Sequence, residues 1–110
     1  MSTDCIFCKI INKEIPSNFV YENDDVIAIN DLHPQAETHV LVIPKVHVAS
    51  LAELEDVSLM GRLLQSVKET AKALGITDYR TIINTGAGAG QSVFHLHIHI
   101  LSGKNLKEKL

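Results

Sequence analysis

A chain of 110 residues has room for one hydrophobic core and not for two, so a single domain over residues 1–110 is expected. Hydrophobic residues make up 45% and charged residues 21%, a folded balance, and a net charge of −3 gives no global attraction to nucleic acid or to an anionic membrane. No apolar run nears the roughly 20 residues that span a bilayer, and the opening MSTDCIFCKI has no basic stretch followed by a long apolar one, so the expected compartment is the cytoplasm.

Residues 5–14 (CIFCKIINKE) read as a short helical or turn segment ending near Pro16. Residues 18–22 (NFVYE) and 26–30 (VIAIN) are short, apolar and β-branched, and Asn23-Asp24-Asp25 between them signals a hairpin. The next strand, 38–43 (THVLVI), is stopped by Pro44, which cannot donate to a sheet ladder. From about Asp56 to Leu74 the period changes to three and four: Val57, Met60, Leu64, Val67, Ala71 and Leu74 form an apolar stripe, and Gly75 follows as a stop. Residues 79–84 (YRTIIN) read as a strand, 86–90 (GAGAG) as a flexible loop, and about 92–101 as a last strand. Lys104, Lys107 and Lys109, interleaved with Glu108, read as a solvated tail. Strands clustered before and after one long helix predict an α+β fold with a mainly antiparallel sheet.

Three of the six histidines lie in His95-Leu96-His97-Ile98-His99-Ile100. Strand alternation puts the histidines on one face and the aliphatics on the other, the aliphatics against the helix. The histidine face is then expected to border water or a ligand, because neighbouring imidazoles are costly to bury without partners. At about 3.3 Å rise per residue, His95 and His99 stand roughly 13 Å apart, too far for all three to hold one ion. A single such histidine is ordinarily a hydrogen-bonded structural residue, but three in strict alternation beside a glycine-rich loop point to a site. Cys5-x-x-Cys8 is half of a zinc site, a redox pair or two unconnected thiols; in a cytoplasmic chain a disulfide is the weaker reading.

His95-Leu96-His97-Ile98-His99-Ile100-Leu101 resembles the signature of the histidine-triad (HIT) family of nucleotide hydrolases and transferases. The likeness extends over residues 5–103 through Phe7-Cys8-Lys9-Ile10-Ile11, Ile15-Pro16, Asp31, Pro34-Gln35-Ala36, Thr38-His39, Leu41-Val42-Ile43-Pro44-Lys45 with His47, and Gly90-Gln91-Ser92-Val93. It is most similar to the Hint branch of purine nucleoside phosphoramidases. That resemblance implies a five-stranded sheet with one long and one short N-terminal helix, and a homodimer joined through the helix at 56–74 and the strand at 79–84. The implied partner is a purine nucleotide, with AMP as product.

By the same resemblance, His97 is the nucleophile that forms a covalent nucleotidyl-histidine, while His99 and His39 attend the phosphate. Ser92 assists the departing amine. Asn84, Gly90, Gln91 and Val93 belong to the nucleotide site, and Asp31 and Leu32 contact ribose and base; without the resemblance these last two are equally a turn residue and a packing residue. The loop at 86–90 is not a Walker A motif, since no Lys-Ser/Thr follows it. Family members with the cysteine pair complete a structural zinc site with the equivalents of His47 and His95. This implies one Zn2+ per chain on Cys5, Cys8, His47 and His95, no organic cofactor, and a microbial type of member. One departure is the lack of any Trp, where animal Hint proteins close with a Trp-containing tail that influences substrate preference. The amine leaving group is therefore not specified. Two further readings stay open: a dinucleoside polyphosphate hydrolase of the same family, and a nucleotide-binding regulatory module.

Overall fold

The computed structural model describes residues 4–104 and Leu106; the expected tail positions Lys107, Glu108 and Lys109 lie outside the described residues. Helix α1 (Ile6–Ile11) is followed by strands β1 (Phe19–Glu22), β2 (Val26–Asn30) and β3 (Thr38–Pro44), helix α2 (Val57–Ala73), and strands β4 (Arg80–Ile82) and β5 (Ile98–Ser102). The strands form one sheet in the order β1-β2-β3-β5-β4, with every neighbouring pair antiparallel. The α+β architecture, five-stranded antiparallel sheet, long helix and short N-terminal helix are all present.

Local chemistry sets the element ends. In the β1–β2 turn, Asn23 Oδ1 accepts the amides of Asp25 at 2.8 Å and Val26 at 2.9 Å, so the side chain closes the hairpin itself. Asp56 caps α2 by accepting the Leu59 amide at 3.0 Å, and Gly75 ends it at φ 72°, a left-handed conformation suited to glycine.

The period-two alternation of the strands divides the molecule into two packed layers. Val26, Ala28, Val40, Val42, Ile98 and Ile100 face α2 and pack with Leu59, Leu63 and Val67. Ile27, Ile29, Leu41 and Ile43 face the other way, onto Phe7, Cys8 and Ile10 of α1. The sheet thus has a helix-covered structural face and an opposite face only partly roofed by α1. The candidate site occupies the remainder of that second face.

Two expectations are corrected. The buried face of α2 is Leu59, Leu63, Ser66, Val67, Thr70 and Ala71, rotated from the stripe read off the sequence, and Val57 and Leu64 are 76% and 55% exposed. Ser66 and Thr70 enter the core because each hydroxyl donates to the carbonyl four residues earlier, Arg62 and Ser66, both at 2.7 Å. The last strand starts at Ile98 rather than near 92. The preceding segment is held instead by the 44–49 stretch: Leu96 N–H donates to Val48 O at 2.8 Å, and the Gln91 amide to Ala49 O at 2.7 Å.

Candidate functional site

His95 and His97 precede β5, yet the division of faces persists, since Leu96, Ile98 and Ile100 enter the core under α2. On the face expected to border water or a ligand, His95 is fully buried and His97 only 7% exposed. Main-chain oxygens make this possible. His95 Nε2 lies 2.8 Å from Pro44 O, and His97 Nδ1 lies 2.8 Å from His95 O. A carbonyl only accepts, so each of these nitrogens carries the proton, and the tautomer of each neutral ring follows.

For His95 the assignment leaves Nδ1 as a lone pair. That atom stands 3.2 Å from Cys5 Sγ and 3.6 Å from Cys8 Sγ, while His47 Nδ1 stands 3.2 Å from Cys8 Sγ. The four candidate ligand atoms all lie within 4.8 Å of one another. A tetrahedral zinc with ordinary Zn–S and Zn–N lengths needs ligand atoms roughly 3.3–3.8 Å apart. Burial holds His95 below the ordinary histidine value, keeping the ring neutral as a ligand must be. Burial, together with the adjacent Cys5, pushes the Cys8 thiol up to about 11, and a cation bound there would displace the proton and take the thiolate. The donor set fits a closed structural zinc site, with Pro44 O as the outer partner that orients His95. The two cysteines are free rather than joined in a disulfide.

A second cluster, Asp31, His39 and His99, has the composition of a metal site but not its hydrogen bonding. Gln35 N–H donates to His39 Nδ1 at 2.9 Å, so that nitrogen must be the acceptor and Nε2 must carry the proton of the neutral ring. His39 Nε2 then donates to His99 Nδ1 at 2.9 Å, with Asp31 Oδ2 3.4 Å away. A nitrogen already holding a proton offers no lone pair to a metal. The cluster is a directed chain: Gln35 amide, His39, His99. Having accepted at Nδ1, neutral His99 presents an N–H at Nε2. Burial, then the neighbouring His97 and His39, bring His99 down to about 4, with Asp31 opposing, so the ring is neutral near pH 7.

The rings of His97 and His99 lie 5.2 Å apart, centroid to centroid. Each is fixed from behind by a different partner, His97 by the His95 carbonyl and His99 by the His39 ring. His97 is left with a free Nε2 lone pair and His99 with a free Nε2–H, a nucleophile beside a donor. Phe7 packs edge-to-face with both His97, at 5.2 Å, and His95, at 5.9 Å.

The remaining expected residues surround these groups. Asp31 is partly exposed, its Oδ1 accepting the His33 amide at 2.8 Å, and Leu32 beside it is 88% exposed. Asn84 is partly exposed, Ser92 is exposed, and Val93 packs against the α1 layer. Gly90 takes φ 97°, which closes the 86–91 loop. The Gln91 side chain is buried and engaged within the chain: its oxygen accepts Gly86 N–H at 2.9 Å, and its amide donates to Ala49 O and to Val93 O, the latter at 3.0 Å. It staples the glycine loop to the rest of the molecule. Sequence reasoning alone gave no role to Phe7, to the Gln35 amide or to the carbonyls of Pro44 and His95. Main-chain donors and acceptors leave no compositional signal.

Residues 12–106 match the HIT domain family model. The chain belongs to the HIT family. An uncharacterized HIT-like protein of Synechococcus elongatus is 52% identical over 109 residues, covering 96% of each chain. A 14 kDa zinc-binding protein of Zea mays is 47% identical over 106 residues, covering 92% of this chain and 83% of the relative. Among solved structures, a HIT family hydrolase from Clostridium thermocellum superposes with a TM-score of 0.93 at 42% identity, covering 100% of this chain and 99% of the other. Among the described residues, no helix is long and apolar enough to cross a membrane.

Proposed function

We propose that this HIT chain, as one domain, hydrolyses the P–N bond of purine nucleoside 5′-phosphoramidates of the adenosine type. The observation that carries the reading is the pairing of a free imidazole lone pair on His97 with a free N–H on His99, each tautomer set by a separate hydrogen bond. A HIT family hydrolase among its structural neighbours supports hydrolytic chemistry.

In the first step, His97 Nε2 forms a bond to the α-phosphorus as the P–N bond breaks, giving a nucleotidyl-histidine and an amine. Ser92 hydrogen-bonds the departing nitrogen, which leaves with a proton from solvent. In the second step, water attacks phosphorus and gives up a proton to solvent, the N–P bond breaks to return His97 as neutral imidazole, and AMP departs. The developing imidazolium of His97 is stabilised by the His95 carbonyl that accepts its Nδ1–H. His99 and, through it, His39 direct an N–H at the phosphoryl oxygens, where charge must be held. Gln91 and Gly90 shape the loop whose amides approach the phosphate, with Asn84 and Val93 beside it. Asp31 receives the ribose hydroxyls, and Leu32 covers the base.

The zinc site on Cys5, Cys8, His47 and His95 is structural, with one ion per chain; a zinc-binding relative with a similar sequence supports this. All four coordination positions are protein groups, so the ion supplies a fixed crosslink between α1 and the segment before β5 and takes no part in the steps above. A homodimer through α2 and β4 is supported by the exposed Val57 and Leu64 and by the edge position of β4.

Wild type and His97→Ala, each assayed with adenosine 5′-phosphoramidate and with diadenosine polyphosphates, test the proposal. Expected is a wild-type preference for the phosphoramidate and a loss of at least about a thousandfold in kcat for His97→Ala. Preference for the polyphosphates would assign the chain to dinucleotide hydrolysis. Tight nucleotide binding without turnover would make it a regulatory module.

A further inference from the structure

The metal-ligand set and the proposed nucleophile meet at two residues. His95 holds Nδ1 toward the two cysteines, while its own main-chain oxygen, 2.8 Å from His97 Nδ1, fixes the nucleophile's tautomer. Phe7 lies between Cys5 and Cys8 on α1, is buried, and packs edge-to-face with both His95 and His97. Every one of these groups therefore depends on α1 being fastened to the 95–97 segment. That segment is not in the sheet ladder, which starts only at Ile98. An isolated six-residue helix is not stable by itself, so its position is set by what it is tied to.

We propose that Phe7 and the Cys5–Cys8–His47–His95 centre act together as a positioning device for His97, holding its ring in the Nδ1–H tautomer with Nε2 turned toward the substrate. A group misplaced by about an ångström loses on the order of a hundredfold in rate. The α2 layer needs none of these contacts, because its core of Val26, Val40, Val42, Ile98 and Ile100 lies on the other face of the sheet. Loosening the centre therefore leaves that layer packed while it frees the ring of His97. Phe7 is the residue through which this can be separated from metal binding, since it touches both rings and ligates nothing. The catalytic part of the inference rests on the proposed phosphoramidase activity; the tautomer part does not.

The test uses the zinc-loaded full chain, the same chain after chelation, and Phe7→Leu, which retains all four ligands. Histidine ring-nitrogen NMR reports the tautomer of His97 without any substrate. In the loaded wild type a single Nδ1–H form is expected. Chelated but folded protein, and Phe7→Leu carrying its full zinc, are each expected to show a mixture of tautomers. Phe7→Leu is also expected to lose about tenfold in kcat with KM changed by less than about twofold. An unchanged His97 spectrum in Phe7→Leu, or in chelated folded protein, overturns the proposal. If chelation unfolds the chain, Phe7→Leu alone decides. Absence of phosphoramidate turnover by wild type would defeat the functional reading while leaving the NMR result to judge this one.

Discussion

His39 Nε2 and His99 Nδ1 lie 2.9 Å apart, and the direction of the bond between them is imposed from outside the pair by the Gln35 amide on His39 Nδ1. His39 stands opposite Leu101 in the β3–β5 ladder and His99 opposite Leu41, so the two rings meet on a cross-strand diagonal of the partly roofed face. Removing His39 leaves both the Gln35 amide and His99 Nδ1 without their partner, and frees His99 to carry its proton on either nitrogen. His39→Ala is expected to lower kcat by about 10–100-fold, the range for losing an orienting partner. Steady-state kinetics checks the rate, and the ring-nitrogen spectrum of His99 should change from one tautomer to two.

The depressed value of His99 has a consequence for stability. Its ordinary value is 6.5, and the folded environment brings it to about 4, mainly by burial. Between these two values the unfolded chain binds a proton that the folded chain does not. Stability therefore falls as pH drops from 6.5 to 4, and this contribution is flat above and below that window. Urea unfolding at pH 7 and pH 5 should show a smaller drop in His99→Asn than in wild type. His95, also depressed by burial, is present in both proteins and so leaves the difference between them as a measure of His99. An equal drop in both would mean that His99 carries no depressed proton affinity.

Much of this was legible because periodicity and special residues report directly on local geometry. The alternation in 26–30 and 38–43, the Asn23 turn, the Asp56 cap and Gly75 each left a residue-type signal, and the elements formed where those signals stood. The buried face of α2 leaves no such signal, because Ser66 and Thr70 look polar, while their hydroxyls are satisfied within the helix and enter the core. HLHIHI alternates like a strand throughout, yet the strand itself begins only at Ile98. Alternation reports which way side chains point, and here the Leu96 N–H bonds to Val48 O and the Gln91 side chain to Ala49 O rather than to a ladder. At the site, the histidines and cysteines were visible by type. What distinguishes a metal ligand from a relay is the partner of the other ring nitrogen, and for His95 and His39 that partner is a main-chain atom.

Zinc should be present at about one ion per chain in protein purified under reducing, chelator-free conditions, as four protein ligands complete one tetrahedral shell. Metal analysis of the purified protein checks this. The four ligands are not equivalent. Cys5, Cys8 and His95 are buried, whereas His47 is exposed at the rim. Replacing both Cys5 and Cys8 with Ser should remove the metal and cost several kcal/mol of stability, on the order expected when a structural zinc site is lost. His47→Ala should weaken zinc retention against a chelator while leaving a folded chain, because three buried ligands still tie α1 to the 95–97 segment. Thermal melts with and without chelator separate the two cases.

The proposed dimer makes the most direct demand on residues that the fold leaves outside its own core. Val57 and Leu64 sit on the exposed side of α2. Leu64 joins Leu51, Leu54, Met60, Leu63, Ile83, Leu96 and Ile98 around an almost wholly apolar cavity of about 230 Å³. Ile83 follows directly on β4, an edge strand of the sheet among the described residues, so the apolar opening and the sheet edge are adjacent. A second copy placed there would cover both at once, whereas a solvated monomer would expose them. Leu64→Glu puts a charge into that surface without touching the histidines. Sedimentation at micromolar concentration is expected to show dimer for wild type and monomer for Leu64→Glu, a change of at least about tenfold in the dissociation constant. Unchanged dimer in Leu64→Glu would remove this face of α2 from the interface, and wild-type monomer would remove the dimer itself.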